Sequence, residues 1–297
     1  MFYVDHADTS ALRAKYAADP HVSVADLAEV DAVWGDKTLV EAVGRTVDYV
    51  IASHVIEHVP DLITWLAEIR DVLAAAGQVR LVIPDRRYTF DFWRSETRLA
   101  DVVNAWCVKA RRPLPHSILD FCLEVGEVDV IRAWRGEIID RKLSYTFEGA
   151  LGIAADARDH GGYHDVHCWV FTPASFTSLM ARLAELGLVG FACRAFFDTE
   201  PNSLEFIVHM DRCDDPTQAA ASWKAILATV DSQTSDAAYR DAEALRATNA
   251  SLVRQLDEIR DSSSWKLTAP LRAFVDAARN SWRKRRMPHG TRPANTA

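Results

Sequence analysis

The residues best suited to chemistry in this chain lie in a histidine-rich stretch, residues 160–169. It contains His160, His164 and His167, together with Asp165. A histidine titrates near neutral pH, so His164 or His167 could take a proton from a hydroxyl group while a carboxylate such as Asp165 orients its ring. Imidazoles three and four residues apart could instead converge on a metal ion, and a loop of hydrogen-bonding histidines explains the pattern as well.

A strand, a helix and a second strand between residues 47 and 83 would help to position such a site. Residues 47–52 form a nearly continuous apolar run, which is typical of a strand buried on both faces, and residues 79–83 form another. Between the two runs, apolar residues recur at helical spacing: Leu62, Trp65, Leu66, Ile69 and Leu73. A strand–helix–strand unit of about forty residues predicts that the two strands are parallel.

Similar elements are predicted on both sides of this unit. Upstream, the pattern indicates a strand at residues 2–5, a helix near residues 9–17 and a strand around residues 23–33. Downstream, the mixed composition of residues 86–160 suggests helices inserted after a strand.

The last part of the predicted sheet is a hairpin. Thr172 and Pro173 are a typical helix start. The strands that follow, near residues 190–197 and 203–210, are joined by so short a connection that they must be antiparallel. The fold class predicted is therefore α/β, with a mostly parallel sheet that ends in an antiparallel pair.

Residues 52–61, Ala-Ser-His-Val-Ile-Glu-His-Val-Pro-Asp, resemble the class I S-adenosylmethionine-dependent methyltransferases. The likeness is greatest to the small-molecule branch often labelled type 11, and it continues through the following helix and the strand that ends in Leu-Val-Ile-Pro-Asp. It covers roughly residues 2–210 and implies a Rossmann-like methyltransferase domain over residues 1–212, with the helical insert at about residues 86–160. It also implies S-adenosylmethionine as the cofactor.

The resemblance assigns roles to several residues of this chain. It implies that Asp5 accepts the ribose hydroxyls of the cofactor and that Asp31 takes the adenine amino group. Ser53 and His54 would contact the methionine portion of the cofactor. His58 would lie close to the methyl group and is a further candidate for the catalytic base, beside His164 and His167. No metal ligand is part of this assignment.

One element of the family pattern is absent from this sequence. The first strand and its Gly-x-Gly-x-Gly turn should precede Asp5, but the only glycines before residue 60 are Gly35 and Gly44. Such a loop lets the backbone approach the cofactor and donate N–H groups to it. Either the natural protein begins upstream or the domain is degenerate; we favour the first explanation because Asp5 and Asp31 are retained.

Two features bear on the acceptor. Arg86, Arg87 and Arg94 lie beside aromatic residues after the second buried strand, which would suit an anionic acceptor such as a sugar phosphate, although buried salt bridges explain them equally well. Residues 262–272 resemble a segment found after coiled coils in bacterial glycosyltransferases of surface-polysaccharide synthesis. That resemblance implies a sugar or glycan acceptor.

The C-terminal part of the chain differs in character from the rest. Leucine and isoleucine recur every seven residues at Leu245, Leu252 and Ile259, which predicts a helical extension over residues 213–261 and a possible homodimer through residues 238–259. Residues 262–297 form a basic amphipathic tail. Within it, residues 265–286 could contact an anionic membrane surface, dock on a partner or stay solvated.

Composition limits the function classes. The chain has 297 residues, 49% of them hydrophobic, and a net charge of −8. The body is acidic, which argues against nucleic acid as its ligand. Five cysteines without a Cys-x-x-Cys pair read as reduced thiols of a cytoplasmic protein.

The sequence therefore predicts a methyltransferase that O-methylates a sugar or glycan intermediate in cell-envelope polysaccharide biosynthesis. Two alternatives stay open. One is a degenerate, non-catalytic scaffold with the same fold, and the other is a metal-dependent hydrolase that uses the histidines of residues 160–168.

Overall fold

The structure is a computed structural model that describes residues 1–18, 22–137 and 139–230, and the single residues 255, 258, 259 and 268. The chain divides into two compact units, Met1–Ser232 and Gln233–Ala297. All strands, helices and cavities named below lie in the first unit. The predicted coiled coil at residues 238–259 and the basic tail at residues 265–286 lie outside the described residues, apart from those single positions.

The first unit alternates strands and helices. The strands are β1 (Val4–Asp5), β2 (Ala32–Val33), β3 (Val47–Ser53), β4 (Leu73–Pro84), β5 (Phe191–Phe197) and β6 (Glu205–Arg212). The helices are α1 (Thr9–Tyr16), α2 (Leu39–Val43), α3 (Leu62–Val72), α4 (Leu99–Cys107), α5 (Pro115–Glu124), α6 (Val130–Trp134), α7 (Phe147–His160) and α8 (Pro173–Glu185). Residues 216–230 are also helical.

The sheet is mixed, which makes the unit an α/β structure. Four strands lie in the order β3-β4-β6-β5, and β1 pairs with β2 in a separate two-stranded sheet. β3 and β4 are parallel, and β6 is antiparallel to both β4 and β5. The parallel strand–helix–strand unit and the antiparallel hairpin predicted from the sequence are confirmed.

The core of the unit lies between the sheet and its helices. In β4 the side chains of Val79, Leu81 and Ile83 are completely buried, as the alternation of a strand covered on one face requires. α3 begins after Asp61, whose carboxylate accepts a hydrogen bond from the Thr64 amide. Leu73, which the apolar spacing placed in this helix, is instead the first residue of β4 and pairs with Val47.

α8 covers the same core and begins where the sequence predicts. The hydroxyl of Thr172 accepts from the Ser175 amide, and the Ser175 hydroxyl receives the Thr172 N–H in return, which closes a capping box. The helical residues 216–230 add a fully buried Trp223, whose indole N–H donates to the Phe191 carbonyl.

Two predictions about strands are wrong. Only Ala32 and Val33 of residues 23–33 are extended in a strand, because a 3-10 turn, Val24–Asp26, occupies the start of that stretch. β3 is not buried on both faces, since Tyr49 and Ile51 are 58% and 64% exposed. The reason is that Tyr49 and Ile51, two residues apart, lie on the same face of the strand and line a cavity.

Helices α4 to α7 occupy the region between β4 and α8, where the sequence predicts inserted helices, and α5 packs against α7. They cover the carboxyl end of β4, which is the end at which ligands bind in open α/β sheets. Among the described residues, no helix is both long and apolar enough to cross a membrane.

Candidate active site where two cavities meet

The candidate site is built on the loop that follows β3. β3 ends at Ser53, and His54 takes a left-handed backbone conformation with φ of 52°. A non-glycine residue in this conformation is uncommon and carries strain that the surrounding structure must stabilise. The turn directs the chain from the strand into the loop at residues 55–61, and α3 begins immediately afterwards.

Glu57 lies at the centre of this loop and is fully buried. Neither oxygen of its carboxylate has a hydrogen-bond partner among the described residues. Burial raises the pKa of Glu57 above its ordinary value, and three neighbouring imidazoles offset that effect only in part. A buried carboxylate without partners is rare in proteins and requires an explanation.

His58 is held by a carboxylate on its outer side. Its Nδ1 lies 2.8 Å from Oδ1 of Asp165, and its Nε2 lies 4.0 Å from Oε1 of Glu57. Asp165 also accepts from the Lys15 ammonium group at 2.5 Å. The bond with His58 and then the bond from Lys15 hold the pKa of Asp165 well below its usual range. Burial would lower the pKa of His58, but Asp165 and Glu57 raise it.

His167 is held in the same way from another direction. Its Nδ1 lies 2.5 Å from Oδ2 of Asp91, and its Nε2 lies 4.0 Å from Oε1 of Glu57. Asp91 is buried and also accepts from the completely buried Arg94 at 2.7 Å. Burial alone would raise the pKa of Asp91, but the bonds from His167 and Arg94 bring it below the ordinary value.

Backbone hydrogen bonds bring His167 to the loop. The Glu57 carbonyl accepts from the amides of Cys168 and Trp169, at 2.6 and 3.2 Å. The indole N–H of Trp169 donates to the Val59 carbonyl at 2.7 Å. The segment after His167 therefore lies directly against the loop that carries Glu57.

His54 completes the group. Its Nε2 lies 2.6 Å from Oε2 of Glu205, and its Nδ1 lies 3.6 Å from Oε1 of Glu57. Three imidazoles thus surround one buried carboxylate, and a different carboxylate holds the outer nitrogen of each imidazole. Ligand atoms of Glu57, His58 and His167 all lie within 4.8 Å of one another, which is close enough for a shared metal ion.

Two cavities meet at this group. The smaller, of about 640 Å³, is lined by Glu57 and His167 and by four aromatic rings, Tyr88, Phe90, Phe121 and Tyr145. The larger, of about 1610 Å³, lies between the unpaired edges of β1 and β3. His54 and His58 line both cavities.

Only some of the residues predicted to bind a cofactor line one of the two cavities. Asp5 lies at the end of β1 and lines the larger cavity. Burial would raise its pKa, but hydrogen bonds from His6 bring the pKa below the ordinary value. Asp31 and Ser53 line neither cavity. The Asp31 carboxylate accepts from the Tyr3 amide at 2.7 Å, and Asp31 precedes β2 instead of following it.

The histidine-rich stretch does not form one cluster. His160 and His164 both lie against Asp156 of α7, at 3.2 and 2.8 Å, and neither lines a cavity. Asp165 contacts His58, and His167 turns towards Asp91. The arrangement that the hydrolase alternative requires is therefore not present.

The arginines predicted to face an anionic acceptor are satisfied within the protein. Arg87 pairs with Asp85, Arg86 donates to backbone carbonyls, and Arg94 pairs with Asp91 and Asp120. None of the three arginines lines the smaller cavity. The salt-bridge interpretation of these residues is the one that the structure supports.

Sequence reasoning missed the three carboxylates Glu57, Asp91 and Glu205. A signal for Glu57 was present, because an acidic residue between two histidines in an apolar segment is unusual. Asp91 and Glu205 have no comparable signal. They reach the site only through the packing of distant segments.

No protein-family model and no curated protein matches this chain. Among solved structures, one match is the crystal structure of methyltransferase CalO6, at 14% sequence identity and a TM-score of 0.28. The match covers 70% of this chain, and the chain spans about half of that protein's length, 56%. A likeness at this level does not establish a common function, so the function has to be argued from the site.

Proposed function

We propose that this chain is an S-adenosylmethionine-dependent methyltransferase that methylates a hydroxyl group. The observation that carries the proposal is the meeting of two cavities at His54 and His58, where the parallel strand β3 ends. Methyl transfer from a sulfonium is a displacement, and its two reactants must approach the methyl carbon from opposite sides. Two cavities that open onto the same side chains provide that alignment, which is the main contribution a protein makes to such a reaction.

In this proposal the larger cavity takes the cofactor. Asp5 lines it, and the low pKa keeps its carboxylate ionised. An ionised carboxylate offers two oxygens to a pair of ribose hydroxyls. Both carboxylates accept from a backbone amide, Asp5 from His6 and Asp31 from Tyr3, but only Asp5 lines the cavity, so we assign the cofactor contact to Asp5 and leave Asp31 a structural role.

The smaller cavity then takes the acceptor. Its volume of about 640 Å³ lies in the range of small-molecule sites. The aromatic lining and the absence of arginine from it favour an uncharged acceptor over a sugar phosphate. The sugar or glycan acceptor predicted from the C-terminal segment is kept in this proposal as an uncharged sugar, because flat rings pack against its apolar faces.

The reaction needs a base for the hydroxyl proton, and we assign that role to His54. The acceptor oxygen forms a bond to the methyl carbon, the carbon–sulfur bond breaks, and its electron pair stays on sulfur. The proton passes to the imidazole of His54, whose other nitrogen is held by Glu205. His164 lines neither cavity, so it has no part in this scheme.

Calorimetric titration with S-adenosylhomocysteine tests the cofactor site. It should be made with this chain and with a version extended upstream to any in-frame start. Asp5→Asn removes one charge-assisted bond and should weaken binding by about tenfold or more. Asp31→Asn is the matched control and should leave binding unchanged, because an amide oxygen still accepts from Tyr3.

Absence of binding by both chains contradicts the proposal and leaves the non-catalytic scaffold. Equal weakening by Asp5→Asn and Asp31→Asn contradicts the placement of the cofactor. Where binding is found, transfer of a labelled methyl group to a panel of uncharged sugars identifies the acceptor. His54→Gln should then lower the rate of transfer by a larger factor than it weakens the binding of S-adenosylhomocysteine.

A further inference from the structure

The contacts around Glu57 share one feature that the proposed methyl transfer does not require. His58 and His167 come from different segments, yet each presents Nε2 to Oε1 of Glu57 at 4.0 Å. Nδ1 of His167 is bonded to Asp91, and Nδ1 of His58 lies 2.8 Å from Asp165 without the geometry of a hydrogen bond. In His167 the bond between Nδ1 and a carboxylate favours the tautomer that leaves a lone pair on Nε2, directed at the buried glutamate.

This arrangement is unfavourable as it stands. A separation of 4.0 Å is too long for a hydrogen bond, which needs about 2.7–3.2 Å between nitrogen and oxygen. Both oxygens of Glu57 therefore stay without partners in a fully buried position. Among the described residues, this buried carboxylate has no cation within hydrogen-bonding distance to stabilise it.

We propose that Glu57, His58 and His167 bind a divalent transition-metal ion at the inner end of the smaller cavity. A cation between the three groups supplies the missing charge and occupies both lone pairs and the free carboxylate. Metal bonds of about 2.0–2.1 Å in tetrahedral geometry place ligand atoms about 3.4 Å apart, so each Nε2 has to approach Oε1 by about 0.6 Å, and a pair at the 4.8 Å limit of the group has to close by about 1.4 Å. A shift of that size is within the reach of side-chain torsions.

The surrounding contacts are those expected of a metal site. Histidine ligands in proteins almost always donate their second ring N–H to a carboxylate or carbonyl; here the Asp91 carboxylate bonds to His167, and the Asp165 carboxylate lies beside Nδ1 of His58. Asp91 is in turn fixed by Arg94. The histidine ligands are therefore flanked by carboxylates, and one of those carboxylates is held by Arg94. A chance cluster of polar residues would not need such an arrangement.

The ligand set indicates which ions bind. Two imidazoles and one carboxylate suit Mn²⁺, Fe²⁺, Co²⁺ or Zn²⁺. Mg²⁺ and Ca²⁺ prefer oxygen ligands and retain several waters. The three protein ligands leave a coordination position open to the cavity, which is typical of catalytic and not of structural sites.

The role of the ion rests on the proposed function, whereas its binding does not. An acceptor hydroxyl that coordinates the ion becomes more acidic, because the metal stabilises the oxyanion. Its proton then passes to His54, and the oxygen attacks the methyl group. In this way a hydroxyl of ordinary acidity would react at neutral pH.

Cobalt is the probe for the test. The full chain is treated with a chelator, dialysed, and titrated with Co²⁺ while the visible absorption of the bound ion and the heat of binding are followed. We expect one ion per chain. Glu57→Gln and His167→Gln should each weaken binding by about 100-fold or more, and Asp91→Asn by about 10- to 100-fold.

Two controls separate binding from folding. His164→Gln changes a histidine that pairs with Asp156 outside the cavities and should bind Co²⁺ as the unchanged protein does. Without metal, Glu57→Gln should unfold at the same temperature as the unchanged protein or a higher one, because it removes an unpaired buried carboxylate. Added Co²⁺ should raise the unfolding temperature of the unchanged protein and of His164→Gln, but not that of Glu57→Gln.

Failure to bind Co²⁺, Mn²⁺ or Zn²⁺ overturns the inference, and so does equal binding by Glu57→Gln. Displacement of Co²⁺ by equimolar Mg²⁺ overturns the assignment of the imidazoles as ligands. Metal binding is measured without S-adenosylmethionine, so the two proposals fail separately. Metal binding without cofactor binding refutes the methyltransferase, and the reverse result refutes the metal site.

Discussion

Arg94→Met tests how much the buried ion pairs of Arg94, which hold Asp91 against His167, contribute to the stability of the protein. Arg94 is completely buried and makes three kinds of contact. Its Nη1 lies 2.7 Å from Asp91, its Nη2 lies 2.7 Å from Asp120, and Nη2 donates to the His167 carbonyl at 2.9 Å. Methionine retains most of the apolar stem but removes the charge and every donor.

The expected loss of unfolding free energy follows from the partners that Asp91 and Asp120 keep after the substitution. Asp91 is 2% exposed and keeps only His167 as a partner, whereas Asp120 is 35% exposed and is hydrated more easily. Removal of one partner from a buried ion pair costs about 3–5 kcal/mol. Because His167 still contacts Asp91, we expect the lower end, about 3 kcal/mol of unfolding free energy. That is a large fraction of the 5–15 kcal/mol of a typical domain.

Urea unfolding followed by tryptophan fluorescence measures the loss. Arg98→Met is the matched control, because Arg98 also pairs with an aspartate three residues away but on the surface, and we expect no measurable change. Asp91→Asn should recover part of the loss in combination with Arg94→Met, since it removes the orphaned charge. A loss for Arg94→Met no larger than for Arg98→Met would refute the reasoning.

Three further substitutions test the packing by urea unfolding, and a fourth tests the backbone at His54. Gly126→Ala should destabilise by about 1–3 kcal/mol, because the new Cβ would lie 2.4 Å from the Lys142 carbonyl oxygen. Gly152→Ala in α7, with no atom within 4 Å, should stabilise by about 0.5–1 kcal/mol; equal signs for the two glycines would contradict one of the two predictions. Trp223→Ala should cost about 3–5 kcal/mol, and a negligible effect would mean that residues 216–230 do not cover the core. His54→Gly should abolish methyl transfer without loss of stability, since relief of the left-handed backbone, about 1–2 kcal/mol, offsets the lost contacts; a clear loss of stability would contradict this.

The elements that local pattern specifies were predictable from the sequence. The parallel unit of β3, α3 and β4 was predicted from two apolar runs and a helical period, and the start of α8 from Thr172 and Pro173. In these segments capping, periodicity and strand pairing all favour one structure. The same local reasoning placed Leu73 in the helix, because a residue at the correct helical spacing can equally begin the next strand.

Predictions that depend on tertiary neighbours were less successful. The apolar run of β3 matches a buried strand, but Tyr49 and Ile51 are exposed because they share a face that lines the larger cavity. The apolar composition of a strand shows that it tolerates burial, and not which elements pack against it. For the same reason sequence spacing grouped His164 with His167, although their side chains contact Asp156 and Asp91 respectively.

The proposed metal site combines contacts between residues that are adjacent in sequence with contacts between distant segments. Glu57 and His58 are adjacent in sequence, so their proximity is local, whereas Trp169 anchors the segment of His167 by a bond to Val59 across 110 residues. The direction of each free Nε2 depends on the partner of the opposite nitrogen, and those partners, Asp165 and Asp91, lie on separate segments. A substitution in a partner carboxylate therefore changes the direction of the ligand without removing it. For that reason Asp91→Asn is a more specific test of the geometry than loss of His167, because a merely structural aspartate would alter stability but not the affinity for Co²⁺.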